Sequence, residues 1–256
     1  MRIVTFGEVM LRLAPEDSLR LRQVMPGRLE ATFGGGELNV AVSLAYQGGE
    51  SAFLTASPDN PITDALTQEM RKLGVDDSLV QRVDNGRFGI YFVETGANQR
   101  SGTVVYDRSN SSIALAGAES FDFKAAFEGA DWFHITGITP AISRSAAEAA
   151  LASVQAAKAQ GLMVSCDLNF RKKLWKWDGS KSPVELAQAT MAELVKHIDV
   201  VIANEEDADL CLGISDDASD VESGQIDTAG YVRVARQVVE QFPNVSKVAI
   251  TLRESI

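Results

Sequence analysis

The chain has 256 residues, 45% of them hydrophobic, which is ample for one large α/β domain with a buried core. Its formal net charge of −11 repels duplex nucleic acid and anionic membrane surfaces, so neither is expected as a partner. An anionic substrate must therefore be met by locally clustered arginines or by helix N-termini, against the global field.

Arg2 to Phe6 is apolar and β-branched and ends at Gly7, the pattern of a short buried strand. Residues 10–33 alternate briefly around Pro15 and Pro26 (Leu11/Leu13, Leu19/Leu21), as small antiparallel strands joined by turns do. Gly34, Gly35 and Gly36 precede a helix-like run from Glu37 to Tyr46, and 51–55 read as the next strand. Residues 61–73 form a helix with Pro61 at its start and Gly74 after its end. Residues 88–95 and 102–106 make a hairpin-like pair, with Phe88, Ile90 and Phe92 on the face opposite Tyr91 and Val93. From 131 onward strands at 131–135, 162–167, 199–203 and 247–252 alternate with helices at 143–160, 183–196, 204–212 and 228–241. That alternation is the signature of a parallel sheet with crossover helices. The expected architecture is a doubly wound α/β domain over residues 1–256 with a mostly parallel sheet. Two antiparallel insertions, at about 10–33 and 87–107, are expected to pair as a small β lid over the carboxyl edge of the strands, where ligands bind in open α/β sheets. The acidic stretch 214–227 lacks the glycine and terminal Glu of a calcium loop and reads as solvated.

Cys166 and Cys211 form no C-x-x-C pair and are expected as reduced, partly buried thiols. His134 and His197 are the only histidines and lie in no H-E-x-x-H pattern. The N-terminus carries no basic region followed by an apolar run, and no stretch approaches a membrane span, so a soluble, cytoplasmic protein is expected.

Four segments carry residues suited to chemistry. Gly34–Asn39 (GGGELN) can aim backbone amides at a ligand, although a tight strand-to-helix turn explains it equally well; it is neither a Walker loop nor G-x-G-x-x-G. Asp167–Arg171 (DLNFR) puts polar groups at the carboxyl end of a strand, where ligand loops lie; Asp167 or Asn169 capping a turn is the alternative. Asn204–Leu210 (NEEDADL) offers Asn204 and Asp207 near transferred phosphates, ordering Mg²⁺ through water; taken alone, helix capping is the stronger explanation. Residues 103–112 (TVVYDRSNSS), with Tyr91 on the partner strand, present Tyr106 and Arg108 to whatever lies under a lid, unless they form only a solvated hairpin end. Arg108 and Arg171 are the best sources of local positive charge, and an arginine fork grips carboxylate or phosphate with two prongs.

Together, GEVMLRLAP, FGGGELNVAVSLAYQG, DLNFR and ANEEDADL resemble the ribokinase-like (PfkB) carbohydrate kinase family across nearly the whole chain. Within it, GEVMLRLAP, the Tyr91 strand, Tyr106-Asp107-Arg108 and DLNFR followed by Leu174-Trp175 resemble the 2-keto-3-deoxygluconate kinases. The resemblance implies the ribokinase-like fold, with ATP and Mg²⁺ as cofactors and a sugar acid phosphorylated at a primary hydroxyl. It implies substrate contacts from Gly34, Gly35, Gly36, Glu37, Leu38, Asn39, Tyr91, Tyr106, Asp107 and Arg108. It implies nucleotide or phosphate contacts from Asn169, Arg171, Asn204, Thr251 and Arg253. The family's N-x-x-E element reads Asn204-Glu205-Glu206-Asp207, with Asp207 one methylene shorter and Glu206 a substitute. The family's second signature, a Gly-Ala-Gly-Asp turn whose Asp is the catalytic base, is expected beyond residue 256, so no residue of this chain is assigned as base. A kinase for fructose or another neutral sugar, and a non-catalytic sugar-binding fragment, are the alternatives. Apolar positions on the insertions (Phe88, Ile90, Phe92) suit lid-to-lid pairing in a homo-oligomer or packing on their own domain.

Overall fold

The computed structural model describes residues 1–215 and 228–251. It divides into two compact units, Thr5–Ala116 and Met1–Val4 together with Gly117–Ile256.

The first unit receives the end of strand β1 (Arg2–Phe6), whose Gly7 amide donates to the Leu54 carbonyl. Then follow β2 (Met10–Ala14), a single helical turn α1 (Leu21–Val24), β3 (Glu30–Gly34) and α2 (Gly36–Tyr46). Next come β4 (Glu50–Pro58), α3 (Pro61–Lys72), β5 (Val75–Asp76), β6 (Val80–Val83), β7 (Gly89–Glu94), β8 (Thr103–Asp107) and α4 (Ser112–Leu115). The segment around Leu21, read from sequence as strand, is helical. Helix α3 starts where Asn60 accepts from the Ile62 and Thr63 amides and Pro61 fills the first position, whose N–H would have no partner. Both β5 and β6 run parallel to β4. Val9, Leu38, Phe53, Leu66, Met70 and Phe88 form the core of this unit.

Four of these strands make a separate sheet in the order β3-β2-β7-β8. Each insertion is an antiparallel pair, β2 with β3 and β7 with β8, and a parallel β2–β7 ladder joins them. The register sets Thr32, Arg12, Tyr91 and Tyr106 side by side. Because side chains alternate along a strand, these four share one face and Phe33, Leu11, Ile90 and Phe92 take the other. Leu11 and Phe33 pack on the core, so the polar face is the one left open.

The second unit begins after a 3-10 turn at Ala118–Ser120 with α5 (Phe123–Ala126), β9 (Trp132–Thr136), α6 (Ile138–Ile142), α7 (Arg144–Ala159) and β10 (Met163–Asp167). It continues with α8 (Pro183–Val195), β11 (Val200–Ala203), α9 (Glu205–Leu212), α10 (Thr228–Gln241) and β12 (Lys247–Ile250). Strands β9, β10, β11 and β12 are parallel neighbours in that order. Helix α7 buries Ala146, Ala149, Ala150 and Ala157, small side chains that let a helix lie close to a sheet. Helix α8 opens with a reciprocal cap between Ser182 and Glu185. Asp199 accepts from Lys158 Nζ on both oxygens at 2.8 Å and from the Val164 amide at 2.8 Å, tying α7 and β10 to the start of β11. The stretch 216–227, within the loop read as solvated, lies outside the described residues. No helix among the described residues is long and apolar enough to cross a membrane.

Phe133 is fully buried and its ring meets that of Phe127 at 4.8 Å. Phe133→Ala is expected to destabilise the protein by about 3–5 kcal/mol in urea denaturation, the usual cost of an unfilled aromatic site. A loss under about 1 kcal/mol would show that this core can collapse around the deletion.

Candidate active site

The sequence-derived residues fall into two groups, one in each unit. In the first unit the glycine bend joins β3 to α2. A Cβ on Gly35 would collide with the Glu8 carbonyl, and one on Gly34 would meet the Tyr91 hydroxyl at 2.5 Å, so backbone and tyrosine approach where no larger residue fits. Glu37 and Leu38 are buried in the first turn of α2. A Cβ on Gly7 would occupy the position of the Glu37 carboxylate. Asn39 is exposed and lines a different groove of about 450 Å³, with Phe33, Leu38 and Val42.

Tyr91 and Tyr106 pair across β7 and β8 with ring centroids 6.0 Å apart. Burial pushes the Tyr91 hydroxyl above its ordinary pKa, so it remains a neutral donor. The Arg108 guanidinium stands 5.9 Å from the Tyr106 ring centre, within cation–π range. Arg108 is not a loose cation: its Nη2 donates to Glu8 Oε2, with 11% and 2% of the two side chains exposed. Asp107 is held by Arg87 in a two-pronged pair, Nη2 to Oδ2 at 2.7 Å, which lowers the Asp107 pKa.

Two residues of this group escaped sequence reasoning. Glu8 was the second letter of a matching motif with no assigned role. Arg12 sits beside Tyr91 on the polar face, and its charge acts on the Tyr91 hydroxyl. Its signal was present in the sequence: a lone cation flanked by Leu11 and Leu13 in an otherwise apolar strand.

In the second unit the carboxyl ends of β10 and β11 bound a crevice of about 230 Å³ lined by Asp167, Asn169, Arg171, Asn204, Asp207 and Thr251, among others. Thus all the described nucleotide-side candidates meet in one place; Arg253 lies outside the described residues. Asn169 adopts a left-handed backbone (φ 39°), a conformation that asparagine tolerates better than most residues. The turn it makes is pinned from β11's side: the Phe170 amide donates to Asp207 Oδ1 at 2.9 Å. Asn204 caps α9, accepting from the Asp207 amide at 2.7 Å. Asn204 and Asp207 are therefore both committed to holding backbone, the structural role weighed for them from sequence. Thr251 is exposed and its amide donates to the Ala203 carbonyl at 2.9 Å. Arg171 is exposed.

Acid crowding marks this crevice. Burial, then the Asp207 charge, pushes the Asp167 carboxyl up to about 6. Beneath it Cys211 is fully buried and its thiol is pushed upward by burial and by both carboxylates, so it is no nucleophile. His134 is likewise held neutral, its pKa pushed down to about 4 by burial, with Nδ1 2.9 Å from the Ser165 hydroxyl. Among the described residues no group of three His, Cys, Asp or Glu is placed to hold a metal. The oxygen donors Asp167, Glu206 and Asp207 suit Mg²⁺ that keeps its waters and is bound chiefly by phosphates.

Asp167 has a folded pKa above its ordinary 3.8, so the folded state holds more protons and stability falls as pH rises from about 4 to about 6. Asp167→Asn removes that penalty. Its melting temperature is expected to exceed the wild type's at about pH 8 and to converge on it near about pH 4. Parallel melting curves across that range would contradict the assignment.

Residues 1–252 match the family model of pfkB family carbohydrate kinases. A 2-dehydro-3-deoxygalactonokinase of Haloferax volcanii is 33% identical over 216 residues, 84% of this chain and 64% of the relative. A 2-dehydro-3-deoxygluconokinase of Dickeya dadantii is 28% identical over 218 residues, 82% of this chain and 65% of the relative. The crystal structure of a 2-dehydro-3-deoxygluconokinase from Thermotoga maritima superposes with a TM-score of 0.89 at 41% identity, covering 100% of this chain and 73% of that one. The chain thus spans just under two thirds of the length of the curated relatives it matches, 64% and 65%.

Proposed function

Because this chain belongs to the pfkB family of carbohydrate kinases, we propose that it serves the ATP-dependent phosphorylation of 2-keto-3-deoxygluconate at a primary hydroxyl. The observation that carries the substrate class is Arg108: a nearly buried guanidinium over the Tyr106 ring, next to Tyr91, whose hydroxyl meets the glycine bend, in a chain with 24 basic and 35 acidic side chains. A sugar carboxylate gives that cation a partner, whereas a neutral sugar does not. The names of the Haloferax, Dickeya and Thermotoga relatives support the same class.

In this reading Tyr91, Tyr106 and the backbone at Gly34–Gly36 hold the sugar hydroxyls, Arg12 and Arg108 orient the acid, and the four-stranded sheet is the cover that excludes water. Asn169, Arg171 and Thr251 meet the triphosphate. Mg²⁺, when bound, neutralises charge on the phosphates. The chain's own part is positioning, which dominates phosphoryl transfer because the protein does little covalent chemistry. The neutral-sugar alternative has one argument: Glu8 already balances Arg108. Against it, Arg108 Nε is buried without a hydrogen-bond partner, a donor left over for an acceptor from outside.

The test offers 2-keto-3-deoxygluconate, 2-keto-3-deoxygalactonate and fructose to the protein, with calorimetry for binding and a coupled assay for ATP turnover. Binding and phosphorylation of the sugar acids in preference to fructose are expected. Arg108→Leu is expected to weaken the sugar acids at least about tenfold and leave fructose unchanged. Activity on fructose alone would overturn the substrate class. Sugar-acid binding without turnover would favour a non-catalytic binding role.

A further inference from the structure

Glu8 stands at an unusual place for an acid. It lies two residues past the end of β1, its side chain is 2% exposed, and it bonds a residue one hundred positions away. A buried ion pair seldom repays its desolvation through Coulomb attraction alone, so its presence asks for another use. The surroundings are cut to fit it. A Cβ on Gly89 would stand 2.8 Å from Glu8 Oε1 and 3.5 Å from Arg108 Cβ, and one on Gly35 would strike the Glu8 carbonyl. The start of β7 thus gives up a side chain to admit this pair, and the glycine bend gives one up to let the Glu8 backbone pass. The pair is also incomplete: Glu8 Oε1 and Arg108 Nε are both buried without a hydrogen-bond partner among the described residues. Arg108 donates to Glu8 alone among them, by one of its five N–H groups. One carboxylate therefore anchors one corner of the guanidinium and leaves donors for a second.

We infer that Glu8 is the positioning residue for sugar-acid selection, fixing the Arg108 guanidinium beside the Tyr106 ring so that its remaining donors meet the substrate carboxylate. The inference rests on the reading of Arg108 as the sugar-acid contact. Anchoring one edge removes the rotamer freedom that an arginine otherwise loses on binding. It also fixes the plane of the fork, on which two-pronged recognition depends. Glu8 itself need not touch the sugar. Burial raises the Glu8 pKa, against the lowering effects of Arg108 and Ser111.

Geometry and charge make opposite demands on two variants. Glu8→Gln keeps the length and one acceptor oxygen but removes the charge. Glu8→Asp keeps the charge and withdraws the carboxylate by one methylene. Dissociation constants for 2-keto-3-deoxygluconate and fructose are measured by calorimetry on the purified protein, with a thermal melt for each variant and Arg108→Lys alongside. Positioning requires Glu8→Asp to weaken the sugar acid about tenfold with fructose unchanged, and Glu8→Gln to stay within about threefold of the wild type. Glu8→Asp binding the sugar acid like the wild type overturns the inference, as does equal weakening for both sugars. Failure of both variants to fold assigns Glu8 to stability alone and overturns it too. If Arg108→Lys leaves sugar-acid affinity untouched, the underlying reading of Arg108 fails instead.

Discussion

A carboxylate and a guanidinium shut away from water in the Thr5–Ala116 unit constrain much of what surrounds them. Neither Glu8 nor Arg108 is tolerable alone at such burial, since an unpaired buried charge costs several kcal/mol, about 3–5 when one partner is removed. Their meeting explains the glycine at 89, where a Cβ would stand 2.8 Å from Glu8 Oε1, while the glycine at 35 makes room for the Glu8 carbonyl. It also fixes the end of β8, because Arg108 must fall on the same face as Tyr106, two residues earlier. In an acidic chain, this is how positive charge can be kept where an acidic ligand needs it.

The crevice in the other unit follows a different logic. Its polar residues mostly hold one another. Asp207 pins the turn after β10, and Asn204 pins the start of α9. The left-handed Asn169 between these anchors is kept in a sparsely populated conformation by its neighbours. Burial, and after it the neighbouring Asp207 carboxylate, raises the Asp167 pKa, and a cation or a phosphate-bound metal would relieve the crowding. Asp207 has a visible task, which is to accept from the Phe170 amide.

Much of this was legible in the sequence. The strand–helix alternation after residue 131 announced a parallel sheet with crossover helices, and β9 to β12 are parallel neighbours, because β-branched runs and capping residues point the same way there. The glycine bend, the tyrosine pair and DLNFR were visible as motifs. Short elements were not: α1 has four residues, β5 has two, and neither is long enough to show a period. Leu21 alternated with Leu19 and mimicked a strand. Glu8 was hidden for a deeper reason, since its partner lies one hundred residues on and the β2–β7 and β7–β8 ladders together bring them to one place. Asn39, named through its motif, is exposed on α2 and lines a separate groove with Phe33 and Val42.

Selection of a sugar acid requires a carboxylate to be recognised, so the most direct measurement changes the ligand and leaves the protein alone. Calorimetric titration compares 2-keto-3-deoxygluconate with its C1 amide, which has the same hydroxyls and nearly the same shape but no charge. Recognition through Arg108 requires the amide to bind at least about tenfold more weakly. Equal affinity for acid and amide would contradict it.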